Sequence, residues 1–348
     1  MLSRRWRDLW CSTPYINIDQ PEFGIRINVR EPIQEEVWAK FEDFTTNMLL
    51  FHCNTVSLDK FRLCAQSQHR RAVERWIRLG IRCCPRVLEI LVRGVDRFPL
   101  QLPHLGSSSC RLERLYLSSV ALDSRFAEGL CSRFSVLETL ELVTCITSFE
   151  NIASSTLKKL VLDSYEHQTE QPLVISTPCL ESLELTIHDR CYQDEPSDYF
   201  PVEKQRRLLA SLFNAITLDL NGFNTMAFLK KNLDEFPIYP ITRTLSIGHC
   251  FLDDYDLNDK VEALGTFLQN APCLEKVIIE YSMFIVDPDE EWDMKSITLR
   301  RDIKTFHCPK LKLIEIWYES GVDLRVTKLV WCLGRILPDA SIKVSMYR

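Results

Sequence analysis

Five segments of this 348-residue chain repeat one apolar pattern: Val87–Val92, Leu112–Leu117, Leu137–Leu142, Leu157–Leu162 and Leu180–Leu185. Each fits L-x-x-L-x-L with Val or Ile allowed, and the third runs on to Cys145 as L-x-x-L-x-L-x-x-C. Their first residues lie 25, 25, 20 and 23 positions apart. Unrelated half-buried strands would match such a pattern once or twice, not five times at near-constant spacing. This is the period of a leucine-rich repeat, in which one unit cannot bury its own apolar face and stacked units share a core.

The pattern has a local cause. Alternate side chains of a strand point to opposite faces, so Leu115 and Leu117, or Leu183 and Leu185, face one way. The leading leucine, Leu112 or Leu180, turns in from the preceding loop onto the same core. Strands recur at wider spacing as Phe213–Leu220, Thr242–Ile247, Leu274–Ile279 and Leu311–Ile316. Helical periodicity marks Glu35 to about Phe51, with Val37, Phe41, Phe44, Met48 and Phe51 inward, and His69–Ile81, with Val73, Trp76, Ile77 and Gly80 inward. Ser124–Phe134 reads as a helical turn or a short helix, Asp259–Asn270 and Arg325–Ile336 as further helices, and Ser341–Met346 as a last strand. The expected fold is therefore α/β, a leucine-rich-repeat solenoid with one parallel strand per repeat and irregular helices and loops on the convex side.

Composition narrows the function classes. A formal net charge of −6 lacks the basic surface a general nucleic-acid binder needs. The arginines at 70, 71, 75 and 78 read as a solvated helix face. No apolar run is long enough to span a bilayer, and no secretory signal opens the chain. Its fourteen cysteines therefore read as reduced thiols of the cytoplasm or nucleus. There is no C-x-x-C, and His188–Cys191 has no second ligand pair at zinc spacing. The acidic run Asp287–Asp293 lacks the central Gly and distal Glu of an EF-hand. With no G-x-S-x-G, G-K-[ST], H-E-x-x-H or G-x-G-x-x-G, neither catalytic machinery nor a cofactor is expected.

The readable surface is then the strand row facing away from the core. One row reads Leu91, Tyr116, Glu141, Val161, Glu184, Thr217, Ser246, Ile278 and Glu315. The row two residues on reads Arg93, Ser118, Val143, Asp163, Thr186, Asp219, Gly248, Glu280 and Trp317. Mixed aromatic, apolar and acidic groups suit a protein partner better than phosphate. Tyr116, Glu141, Glu184, Ile278, Glu315 and Trp317 are the candidate target-binding residues, with the aromatics as anchors.

The opening Leu2-Ser-Arg-Arg-Trp-Arg-Asp-Leu-Trp10 resembles the last helix of an F-box, as found in plant F-box/leucine-rich-repeat proteins. Ser12–Asp19 resembles the turn and strand that follow it there, and Arg75-Trp-Ile-Arg-Leu-Gly80 the helix before the first repeat. Asn270–Val277 and Phe306–Ile316 are similar to the FBD-type region that closes such chains. The resemblance implies a non-catalytic substrate-recognition subunit of a Skp–cullin–F-box ubiquitin ligase. Leu2, Trp6, Leu9 and Trp10 would form an apolar stripe on the adaptor side, and the repeats would bind an unknown target protein. An F-box has about three helices and only the last is matched. The alternative is thus a truncated repeat scaffold that no longer couples to a ligase. The implied organisation is an F-box remnant at 1–19, an N-terminal cap at 20–86, repeats at 87–281 and an FBD-like repeat and cap at 282–348. Neither nucleic acid nor a membrane is an expected partner.

Overall fold

The computed structural model describes residues 13–23, 35–52, 58–94, 99–105, 111–164, 166–167, 169, 171–187, 202–223, 237–248, 257–280, 304–318 and 324–346. The chain divides into two compact units, Met1–Cys179 and Leu180–Arg348. Each is mixed α/β around a parallel sheet, an arrangement compatible with a leucine-rich-repeat type of fold.

In unit 1 the main sheet has the order β1 (Tyr15–Asp19), β2 (Lys60–Gln66), β3 (Val87–Arg93), β5 (Arg114–Ser118), β7 (Thr139–Val143), β10 (Lys159–Asp163). Every neighbouring pair here is parallel, and β3, β5, β7 and β10 supply the first four leucine segments. A second parallel sheet runs β11 (Glu166–His167), β8 (Ile146–Thr147), β6 (Val120–Leu122), β4 (Leu100–Gln101), and β9 (Asn151–Ala153) pairs with β12 (Val174–Ser176). The second and third leucines of each repeat are buried, as are the leading Leu112, Leu137 and Leu157. Burying each such side chain stabilises the fold by about 1.5–3 kcal/mol. Cys145 continues the same layer: its Sγ donates to the Leu117 carbonyl at 3.4 Å, and burial pushes its thiol up to about 11.

One backbone device recurs at the start of the strands. The carbonyl of Glu113 accepts from the N–H groups of both Glu138 and Thr139, at 2.9 and 3.1 Å. The carbonyls of Arg86 and Glu138 treat Glu113–Arg114 and Lys158–Lys159 in the same way. A second device closes the strands. Gly94, Ser119, Thr144 and Ser164 follow β3, β5, β7 and β10 directly, and all have positive φ. A left-handed residue there turns the chain out of one sheet toward the next. For the β-branched Thr144 this is an uncommon conformation. Ser119 Oγ and Thr144 Oγ1 hydrogen-bond to each other across the step at 2.7 Å.

Two helices cover one end of unit 1, α1 (Glu35–His52) and α2 (Arg70–Arg82). The inward face of α1 is Trp38, Phe41, Thr45, Leu49 and His52, rotated from the face that periodicity predicts. Phe44 and Phe51 are 39% and 53% exposed. The helix carries apolar residues nearly all round, so packing chooses the face. Phe41 meets Trp76 of α2 edge-on at 5.4 Å, and Trp76 Nε1 donates to Thr46 Oγ1 at 3.0 Å. The expected face of α2 does go inward, and its arginines lie outward, Arg75 pairing with Glu42 at 2.6 Å. Gln20 and Gln66, both buried, answer each other: Gln20 Oε1 accepts the Gln66 N–H at 2.8 Å and Gln20 Nε2 donates to Gln66 Oε1 at 3.1 Å. Farther along, α3 (Ser124–Ser132) is capped by Asp123.

Unit 2 holds a parallel sheet ordered β13 (Ser182–Thr186), β14 (Thr217–Asn221), β15 (Thr244–Gly248), β16 (Lys276–Glu280), β17 (Leu313–Tyr318), β18 (Ser341–Met346). The double-acceptor step continues at the carbonyls of Glu181, Ile216, Arg243 and Glu275. Among the described residues three helices accompany it, α4 (Val202–Ala210), α5 (Leu257–Gln269) and α6 (Leu324–Ile336). Tyr239 is buried against Phe267 of α5, ring centroids 5.7 Å apart, and donates to the Leu209 carbonyl at 3.3 Å. β14 starts at Thr217, not Phe213: a turn from Leu212 to Ala215 precedes it and leaves Phe213 exposed. Likewise β17 starts at Leu313, with Leu311 as the buried lead-in leucine. His188–Cys191 and the acidic run Asp287–Asp293 lie outside the described residues.

Gly80 of α2 lies against the ring of Phe61 on β2, where a Cβ would come within 2.3 Å of the ring carbon Cε1. Both residues are buried, so neither side can yield without repacking. Gly80→Ala is expected to destabilise unit 1 by about 1–3 kcal/mol, against the usual gain from Gly→Ala in a helix. Urea unfolding checks this, and an unchanged or raised midpoint would contradict the packing.

Candidate functional site

Strand register determines which side chains stand together away from the core. In unit 1 the Cα partners run Asn17, Arg62, Glu89, Tyr116, Glu141, Val161. In unit 2 they run Glu184, Asp219, Ser246, Ile278, Glu315, Lys343. The second rows are Asp19, Cys64, Leu91, Ser118, Val143, Asp163 and Thr186, Asn221, Gly248, Glu280, Trp317, Ser345.

Four positions read from the sequence belong elsewhere, Leu91 and Arg93 on β3 and Thr217 and Asp219 on β14. Leu91 pairs with Ser118, so Glu89 is the neighbour of Tyr116. Thr217 pairs with Ser182, so Asp219 is the neighbour of Glu184. The signal that finds them is the residue between two buried apolar positions, Leu88-x-Ile90 and Leu218-x-Leu220. The apolar pair sets the frame, because side chains alternate strictly along a strand.

In unit 1 the row is charge-compensated at one end. Arg62 Nη1 reaches Asp19 Oδ2 at 2.7 Å and Asn17 Oδ1 at 3.0 Å, and Glu89 accepts Lys60 at 2.6 Å. Tyr116 and Glu141 follow as direct cross-strand neighbours, both half-buried. Partial burial first, then the Glu141 carboxylate, raises the Tyr116 hydroxyl above its ordinary value, which keeps it a neutral phenol. A rigid, half-buried tyrosine offers apolar area and a polar tip at small entropic cost.

The row of unit 2 is more acidic. Burial raises the Asp219 carboxyl, with Glu184 and Glu280 adding to the effect and a hydrogen bond from Ser246 opposing it. Ile278 is half-buried beside Glu315. Glu315 itself is 5% exposed, held by Lys276 at 2.8 Å and Lys343 at 2.7 Å. Those two ammonium groups, Lys276 first, hold its carboxyl down at about 2. Glu315 therefore presents its lysines more than itself. Trp317, half-buried in the second row, sits beside Glu280 and Ser345. The stripe Leu2, Trp6, Leu9 and Trp10 lies outside the described residues.

Among the described residues no group of three or more His, Cys, Asp or Glu is placed to hold a metal ion, and no helix is long and apolar enough to cross a membrane. The rows present a phenol, two large apolar groups and carboxylates at fixed spacing.

The signs of two carboxyl shifts are opposite, which a pH series can read. Glu315 is depressed in the folded state, so its contribution is present above about 4.5 and is lost as pH falls toward about 2. Glu315→Gln is expected to cost about 1 kcal/mol at neutral pH and nothing at the acid end, measured by urea unfolding across pH. Asp219 is raised, so its ionisation opposes folding, a penalty that sets in as pH rises past the ordinary carboxyl value and is complete above the raised folded value. Asp219→Asn is expected to raise the melting temperature at pH 7 and to lose that advantage in acid; a drop at pH 7 would contradict the assignment.

No family model matches the chain. The meiotic F-box protein MOF of Oryza sativa subsp. japonica is 27% identical over 368 aligned positions, covering 92% of this chain and 75% of that protein. An F-box/LRR-repeat protein of Arabidopsis thaliana is 25% identical over 204 positions, covering 55% of this chain and 58% of that protein. The similarity thus runs through both units, and the curated relatives of this chain are plant F-box proteins, the group its sequence motifs resemble.

Proposed function

We propose that the chain is a non-catalytic protein-interaction module of the plant F-box/leucine-rich-repeat type. It would serve as the substrate-recognition subunit of a Skp–cullin–F-box ubiquitin ligase. Its repeats form a solenoid whose strand rows hold a target protein, with Tyr116, Glu141, Glu184, Ile278 and Trp317 in contact and Glu315 acting through its two lysines. One observation carries the reading: strand-borne side chains stand in unbroken register within each unit, in a chain whose relatives are F-box proteins. Mixed aromatic, apolar and acidic groups suit a folded protein surface, and Tyr and Trp are the residue types that dominate such contacts.

The organisation proposed with it is an F-box helix and first strand at 1–19, a cap at 20–86, repeats at 87–281 and an FBD-like closing region at 282–348. Leu2, Trp6, Leu9 and Trp10 form the side that meets a Skp-type adaptor, and the protein works in the cytoplasm or nucleus.

Adaptor coupling is tested by pull-down with a purified Skp-type adaptor, using this chain and a form extended ahead of Met1. Capture that is lost on Trp6→Ala with Trp10→Ala is the expected result. Failure of both forms overturns ligase coupling and leaves an interaction scaffold. For the target, once captured by cross-linking and purified, Tyr116→Ala is expected to weaken binding by about 2 kcal/mol, roughly thirtyfold. Unchanged affinity with both Tyr116→Ala and Trp317→Ala would remove the strand rows as the site.

A further inference from the structure

Apart from the strand rows, unit 1 contains a cleft of about 220 Å³ between α2, the segment following β4, and α3. Its floor is apolar and buried, made by Leu102, Leu105, Leu122, Phe126 and Phe134. Its rim carries three exposed guanidinium groups, Arg78 from α2, Arg125 from α3 and Arg133 just beyond α3. The two carboxylates at the rim are already engaged. Glu74 takes Arg70 at 3.2 Å, with Arg78 at the margin at 3.9 Å. Asp123 accepts the Phe126 N–H at 3.2 Å as the cap of α3. Arg133 Nη1 donates to His104 Nε2, which fixes its side chain toward the cleft mouth. Arg125 has no counter-charge within ion-pair reach among the described residues. Cationic charge thus exceeds anionic charge around an apolar hollow.

Size limits the occupant. A dry cavity of about 150 Å³ suffices for benzene, and pockets for drug-sized ligands begin at about 300 Å³. The cleft lies between, room for a single ring or short branched chain with one polar head. Guanidinium groups pair best with flat or tetrahedral oxyanions through parallel N–H donors. We propose that this cleft binds a small organic anion, a carboxylate or phosphate monoester on a compact apolar body. The body lies on Phe126, Phe134 and the leucines, and the head is held by Arg125 and Arg133. This site is independent of the target-binding rows.

The test is titration calorimetry of the full chain with phenyl phosphate and benzoate. Inorganic phosphate and benzyl alcohol serve as the head-only and body-only probes. At least one of the two organic anions binds at least tenfold more tightly than either partial probe. Arg125→Gln with Arg133→Gln weakens it about tenfold or more, Arg125→Gln alone weakens it measurably, and Arg82→Gln, outside the cleft, leaves it unchanged. Melting temperatures of all variants are compared, and if the double variant melts early the single Arg125→Gln decides. Equal binding of benzyl alcohol, equal binding of inorganic phosphate, or indifference to the Arg125 change overturns the proposal. So does silence of both organic anions, including when an acidic peptide binds in their place.

Discussion

The rest of this structure depends on a repeated backbone step. The residue just before a strand offers one carbonyl oxygen to two successive N–H groups of the next repeat, at Arg86, Glu113, Glu138, Glu181, Ile216, Arg243 and Glu275. A carbonyl has two lone pairs and can take both donors. Each repeat is thereby locked one strand spacing from its neighbour, with no freedom to slip by one residue. A slip would send every leucine of that strand to the opposite face. The leucines supply the free energy, and the carbonyl step supplies the register.

Register in turn makes the surface. Because the strands of a unit align position by position, side chains far apart in sequence, such as Arg62, Glu89 and Tyr116, become lateral neighbours. The same alignment lets Lys276 and Lys343, one strand to either side, converge on Glu315. Ion pairs on this surface contribute little to stability where they are exposed, and their effect is to set the charge pattern a partner meets. Unit 1 mixes both signs around a tyrosine, whereas unit 2 groups Glu184, Asp219 and Glu280 before the lysine-held Glu315.

Two features of unit 1 lie outside that logic and come from its helices. The aromatic contact of Phe41 with Trp76 joins α1 to α2, and Arg78, one of the arginines α2 turns outward, borders the cleft beside α3. A helix face that reads as solvated charge in sequence becomes, in part, the rim of a hollow. Folding places Arg78 next to Arg125 and Arg133, which are 47 and 55 residues farther along the chain.

Much was legible from the sequence alone. The L-x-x-L-x-L spacing determined the strands of the main sheet in unit 1 and which leucines are buried, because alternation is a local property of extended backbone, and the last strand Ser341–Met346 was legible as well. The short strands β4, β6, β8, β9, β11 and β12, which stand where one strand per repeat was expected, were not. Motifs at both ends pointed to the same plant F-box group as the curated relatives. Tertiary structure alone decided the rest. The inward face of α1 was fixed by Trp76 and not by its own periodicity, since apolar residues nearly surround that helix. The row positions of Glu89 and Asp219 waited on register, which depends on hydrogen bonds between strands. The left-handed turns at Ser119, Thr144 and Ser164 gave no sequence signal, because the residues there are not glycine. The arginine-rimmed cleft was invisible as well, because its residues on α2, after β4 and on α3 are distant in sequence and meet only in the folded unit.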